Sequence, residues 1–492
     1  MFNKKRLISL LLLALLLTSC SSAPSAEETA GSADAPVAGT EAASEEAASG
    51  EAVPEETEPN WYGNIPEGTK FDGYTFSALS YDYSNGNWSI YLAPAEVIGE
   101  VLNDAAYQRN SEVEELLGIE IEEILDGNSE TSFKNSVLAG EGETYDLLAF
   151  WAVGDRASYI TSNMVYDWKS LPNTDLTAAW YNQTANEAYE FLGKQYFAVS
   201  DYTFPVHQHF RILFNKDLTK DLGLELPYES VHNGTWTFDK MMDYTSGVYT
   251  DLDGNGQADL NDRYGLVVNA AFTSIFPLNS GELPVTCTDE GFQFNLFSDR
   301  IVSIVERTQG FRTNQDVYLN LAGNNDQYEI FKAGNALFET YGSDPKLLRD
   351  IEFDLGYLPY PKFDEQQEDY VVWSSGGMMA LPVTLTNAER TGAIMEALSA
   401  ASNKYVKDAF VEQYVEGKIL RDEDSQIIYR MMRDKATYDL SYNIDPSGKI
   451  GEYKWYSTFV NDAAANPASY WESQQKAINK TYGNLFDKIK GN

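Results

Sequence analysis

From Tyr74 onward the hydrophobic period of the chain switches repeatedly between two and three-to-four residues. Tyr74-Thr75-Phe76-Ser77-Ala78-Leu79 alternates and predicts a strand. Val97, Val101, Leu102, Ala105, Val113, Leu116 and Leu117 then recur at helical spacing, ending at Gly118. Ile119, Ile121 and Ile124 predict the next strand. The run from Tyr145 to Trp151 is nearly continuous in apolar residues, as expected of a strand covered on both faces. Arg211 to Phe214, Tyr264 to Val268 and Ala336 to Glu339 predict further short strands. Helical patterns lie over Leu347 to Ile351, over Arg390 to Ser402 and over most of the C-terminal region. This alternation predicts an α/β protein with mixed, mostly parallel sheets flanked by helices. Ligands of such sheets bind outside the carboxyl ends of the strands.

The first 59 residues follow a different logic. Lys4, Lys5 and Arg6 precede an apolar run from Leu7 to Leu17, and Leu17-Thr18-Ser19-Cys20 closes it. The run is too short to span a bilayer and reads as a secretion signal over residues 1–20. A cysteine at the cleavage point is the bacterial lipoprotein pattern, which makes Cys20 the expected lipidation site. Residues 21–59 carry ten acidic residues, no basic one, and only Val37 and Val53 as larger aliphatics. Such a segment buries too little apolar surface to offset its ordering entropy and is expected to be a disordered acidic tether. The expected location is the extracellular face of a bacterial cell membrane, with the body held by its N-terminal lipid.

Composition narrows the ligand. The chain carries a net charge of −40. Setting aside the three cations of the leader and the ten acids of the tether leaves −33 on the body. That charge argues against nucleic acid, anionic lipid and polyanionic substrates, and leaves a neutral or cationic small molecule. Cys287 is the only cysteine besides Cys20, so no intramolecular disulfide forms. With 32 Tyr, 24 Phe and 9 Trp, the chain is rich in rings able to stack on the apolar faces of sugars.

Several segments, in order, carry a resemblance. Thr144-Tyr145-Asp146-Leu147-Leu148-Ala149-Phe150-Trp151-Ala152, followed by Asp155-Arg156, resembles the sugar-contacting strand end of maltose-binding proteins, with one extra residue before Asp155. Gly193-Lys194-Gln195-Tyr196-Phe197-Ala198-Val199 is similar to their "GK-x-Y" hairpin. Leu213-Phe214-Asn215-Lys216-Asp217-Leu218 is similar to the "FNKDL" after their first interlobe crossing. Phe331 to Phe338 resembles the "F-x-x-G-x-A" segment at the second crossing. Leu358-Pro359-Tyr360-Pro361 and Gly376-Gly377 fall where the family has its "LP" turn and third crossing. The set covers about residues 70 to 470 and resembles the extracellular solute-binding proteins of carbohydrate ATP-binding-cassette importers.

The resemblance implies a two-lobed, periplasmic-binding-protein-like fold of type II with three interlobe crossings. One lobe is expected over 60–207 plus 335–378, and the other over 208–334 plus 379–492. Trp151 is then expected to stack on a sugar, Asp155 and Arg156 to bond its hydroxyls, and Trp455 and Tyr456 to supply a second stacking surface. Tyr81, Asp201, Tyr202, Tyr341 and Trp373 are further expected ligand contacts by position alone. The implied protein is a non-enzymatic, monomeric receptor that captures a neutral sugar or oligosaccharide and hands it to the permease subunits of an importer. Two alternatives stay open: a surface glycoside hydrolase or lyase, which needs a pair of carboxylates about 5–10 Å apart, and a peptide- or polyamine-binding protein of the same fold.

A second signal is independent of that family. Asp251, Asp253, Asn255, Asp259 and Asp262 place oxygen side chains at positions 1, 3, 5, 9 and 12 of a calcium-loop template over residues 251–262. Gly256 sits at the sharp turn and Gln257 at the position whose backbone carbonyl ligates. Asp262 stands where the template has glutamate. A strand pattern follows at Tyr264, so the loop is expected to stand alone and to hold a structural calcium. His207 and His209 alternate on one strand face, where a packing or hinge role is expected. Glu112, Glu114, Glu115, Glu120, Glu122 and Glu123 are expected to form a solvated face.

Overall fold

The computed structural model describes residues 60–82, 92–151, 156–206, 208–341, 348, 351–411, 420–451 and 454–491. Cys20, the leader, the tether, Asp155, His207 and most of the helix expected over 347–351 lie outside them. Among the described residues no helix is long and apolar enough to cross a membrane.

The strands in chain order are β1 (Tyr74–Ser80), β2 (Ile119–Leu125), β3 (Leu147–Trp151), β4 (Glu190–Phe191), β5 (Lys194–Gln195), β6 (Gln208–His209), β7 (Arg211–Asn215) and β8 (Tyr264–Asn269). They continue as β9 (Val285–Thr288), β10 (Gly291–Phe294), β11 (Val317–Asn320), β12 (Ala336–Tyr341), β13 (Leu355–Pro359), β14 (Val372–Ser375), β15 (Gly377–Ala380) and β16 (Ala436–Thr437).

The first lobe is built on a sheet of order β15-β3-β1-β2. β1 runs parallel to both β2 and β3, while β15 returns antiparallel to β3. Helix Val101–Leu117 ends at Gly118, whose φ of 68° lets its N–H turn back to the Glu114 carbonyl. Leu147, Leu148, Ala149 and Phe150 are all buried, the consequence of a strand covered on both faces. The expected acidic face is partly engaged: Glu112 accepts from Tyr62, Tyr405 and Lys404, and Glu122 and Glu123 accept from Ser77 and Ser80 of β1.

The second lobe holds a sheet of order β11-β8-β12-β7-β13. β8 is parallel to β11 and β12, and β7 is antiparallel to β12 and β13. Every residue of β7 is buried. Between the lobes lies a small sheet of order β16-β14-β6. Here β14 carries the chain back from the second lobe, and Gly377 begins β15 in the first-lobe sheet two residues after β14 ends at Ser375.

The pairing corrects the expected division. β12 and β13 belong to the second lobe, because β12 lies between β8 and β7 and β13 pairs with β7. Residues 377–402 belong to the first, because β15 pairs with β3 and helix Ala388–Ser402 packs on helix Val101–Leu117. Phe331 to Phe338 therefore feeds a central strand and is no crossing. Two crossings run through β6 and through β14, and in the chain the first-lobe helix Ala388–Ser402 is followed by helix Glu423–Asp434. That helix already packs on β13, with Lys216 bonding Asp422 at 3.1 Å.

Candidate functional site

Trp151 ends β3, half-buried, and faces Gly377 across the β3–β15 pair. Tyr81 follows the carboxyl end of β1 and is 43% exposed. These two residues stand at the sheet end where ligands of α/β lobes gather, and Gly377, the partner of Trp151, follows the end of the hinge strand β14 by two residues.

Arg156 lies beside them in another role. It is 7% exposed, and its guanidinium donates to the Trp151 carbonyl at 3.3 Å, pairs with Glu130 at 3.0 Å and stacks over Phe150 at 4.9 Å. Its side chain thus braces the end of β3 from within the lobe.

The other expected contacts separate. Tyr341 ends β12, and only its backbone is described. Tyr202 is fully buried beneath the Arg109 guanidinium, 4.6 Å from its ring centre, and packs as core. Trp373 is also fully buried, held between Phe210 at 4.7 Å and Tyr442 at 4.4 Å in the hinge. Trp455 is fully buried, donates to the Leu296 carbonyl at 3.2 Å and packs on Tyr470 and Trp471. Tyr456 is 4% exposed, and burial pushes its hydroxyl pKa well up, with Asp439 and Glu282 adding to the shift. The second stacking surface expected at 455–456 is corrected by this packing: helix Lys454–Asn461 turns Trp455, Tyr456, Phe459 and Val460 inward together.

Asp201 lines a cavity of about 260 Å³ at the crossings, with His209, Lys407 and Arg433. Its carboxylate accepts from Asn403 at 2.5 Å and faces Lys407 at 3.8 Å. Burial pushes the carboxyl up to about 6, partly offset by Lys407. His209 is buried in β6, with Nδ1 2.9 Å from the Ser374 hydroxyl and its ring against Tyr429.

Local sequence patterns missed one feature of the interlobe seam. Asn443 accepts from the Arg156 N–H at 2.7 Å through its carbonyl, and its amide donates to the Tyr189 hydroxyl. The Asp439 carboxylate caps the same turn through the Ser441 N–H at 2.9 Å and the Ser441 hydroxyl at 2.7 Å.

The acidic loop is a separate, oxygen-rich site in the second lobe. Carboxylate oxygens of Asp251, Asp253 and Asp262 lie within 4.8 Å of one another. Asp251 accepts from the Gly254 and Gly256 N–H groups at 2.7 and 2.9 Å, and both glycines have positive φ. Asn255 donates to Asp253 and Asp259, and its own oxygen accepts from the Gln257 N–H. Asp262, fully buried, accepts from Leu252, Asp259 and the Tyr249 hydroxyl at 3.0–3.1 Å. A bridge between Thr250 and Arg263 closes the base, and β8 follows directly. No ion pair among the described residues involves these acids. An all-oxygen donor set of this density suits a hard divalent cation.

No protein-family model matches the chain, and no curated protein matches it by sequence. Solved structures do match. An extracellular solute-binding protein from Staphylococcus aureus, in complex with maltose, has a TM-score of 0.56 at 14% identity over 86% of this chain and 99% of that one. A cyclo/maltodextrin-binding protein complexed with maltotetraose has 0.55 at 16% identity over 86% and 99%. An ABC substrate-binding protein from Listeria monocytogenes, in complex with cycloalternan, has 0.53 at 14% identity over 84% and 100%. With the two lobes, the hinge sheet and the order of strands, these matches establish that the chain has the two-lobed fold of the maltose-binding-protein-type solute-binding proteins.

Proposed function

We propose that this protein is a lipid-anchored extracellular receptor that captures a neutral sugar or oligosaccharide between its lobes and delivers it to an ATP-binding-cassette importer. The observation that carries the reading is the hinge sheet joining two α/β lobes, with Trp151 half-buried at the sheet end beside it. The fold is that of proteins solved with maltose, maltotetraose and cycloalternan. On this reading the protein performs no chemistry, and affinity comes from contacts made only when the lobes close. Trp151 supplies the stacking face, and Tyr81 stands at the same sheet end. Calorimetric titration of the body with maltose, maltotetraose and control peptides tests it. Saturable binding of a sugar without turnover supports the receptor; product formation would make the protein a glycoside hydrolase or lyase, and binding of peptides or polyamines alone would replace the carbohydrate.

The acidic loop is proposed to hold a structural calcium through Asp251, Asp253, Asn255, Asp259 and Asp262, with the Gln257 carbonyl. Oxygens of Asp251, Asp253 and Asp262 lie within 4.8 Å of one another, so the ion would neutralise carboxylates that otherwise repel one another. A melting-temperature rise with calcium that chelator reverses, and that Asp251→Ala abolishes, tests this site.

A further inference from the structure

We propose that Asn443 is a strap across the interlobe seam that couples closure to ligand capture, a role that builds on the receptor reading above. Asn443 ends the short helix Leu440–Asn443, which is rigidly capped by Asp439. That helix packs on β9, which lies in the chain between β8 and β11 of the second-lobe sheet. Its neighbour Tyr442 meets Trp373 in the hinge, and the next carbonyl, that of Ile444, accepts from Tyr482 at 3.3 Å. The segment is thus tied to the second lobe and to the hinge.

Asn443 itself is 1% exposed and reaches the other way. Its carbonyl takes the Arg156 N–H at 2.7 Å, and its amide bonds Tyr189. Both partners belong to the first lobe: Arg156 lies between β3 and helix Ala157–Thr161, and Tyr189 closes helix Gln183–Ala188. Arg156 also holds the Trp151 carbonyl. One residue of the second lobe therefore connects, through Arg156, to the end of the strand that carries the proposed sugar contact. Opening the lobes then breaks both bonds of Asn443, together with the packing of helix Pro467–Gly491 on helix Ala157–Thr161 across the same seam.

The side-chain half of the strap is separable. Asn443→Ala and Tyr189→Phe each remove the amide–hydroxyl bond and leave the main-chain bond to Arg156. Lobe separation is read by fluorescence energy transfer between dyes on the two lobes, in ligand-free protein and with maltotetraose. Each variant is expected to shift the ligand-free population toward open and to weaken maltotetraose binding about tenfold through faster release. The double variant is expected to be no worse than either single one, since both remove the same bond. Unchanged lobe separation in the ligand-free variants would overturn the strap, as would a lowered melting temperature with separation unchanged, which marks packing alone. The ligand-free readout decides the strap even if no sugar binds, so its failure is distinct from that of the receptor reading.

Discussion

Trp151 and Gly377 face each other at the end of the β3–β15 pair, so the ring that ends one strand stands where the chain enters from the hinge. Glycine leaves the space opposite without a side chain. A change in hinge angle is thereby applied next to the half-buried ring.

Replacing Trp151 tests its role directly. Trp151→Ala is expected to weaken maltotetraose binding by about tenfold, the scale of one lost ring contact, while the melting temperature moves little because the ring is only half-buried. Isothermal titration and thermal melts together separate these effects.

Trp455 should behave in the opposite way. It is fully enclosed and its indole N–H is satisfied by Leu296. Trp455→Ala is expected to cost about 3–5 kcal/mol in denaturant unfolding, whereas Trp455→Phe retains sugar affinity. A selective loss of affinity in the phenylalanine variant at unchanged stability would restore Trp455 to the binding surface.

Asp201 makes a pH prediction with a definite sign. Its carboxyl is raised to about 6 by burial, while Lys407 opposes the shift. The folded protein therefore holds this proton to a higher pH than the unfolded chain does, and stability is lost as pH rises from about 4 through 6. Asp201→Asn removes that loss. The variant should melt above the parent protein at pH 7, and the gap should shrink toward pH 4. Equal gaps at both values would contradict the assignment.

Calcium linkage is the fourth expectation. At ten times its dissociation constant, bound calcium adds about 1.4 kcal/mol. The melting temperature should rise with calcium in the parent protein and stay flat in Asp251→Ala, with magnesium a poorer substitute because it demands a tighter octahedral shell.

Much of the fold could be read locally. The apolar run ending at Trp151 and the stop at Gly118 each depend on neighbours in sequence, and both elements form as expected. The division into lobes could not be read so, because Ala336 to Tyr341 has the same pattern whichever sheet it joins. Only its pairing with β7 and β8 places it in the second lobe. The Trp455 misreading had a local remedy: positions 455, 456, 459 and 460 share one helix face, the signature of a buried stripe. Asn443 carries no such signal, since its partners Arg156 and Tyr189 lie more than 250 residues away in sequence.

The central claim is capture of a sugar between closing lobes. Small-angle scattering of residues 60–492, without ligand and with saturating maltotetraose, tests it most directly when paired with titration calorimetry on the same sample. The account predicts one binding event per chain, a smaller radius of gyration on binding and no product after prolonged incubation. Absence of binding across maltose, maltotetraose and a broader sugar panel, or binding with hydrolysis, would contradict it.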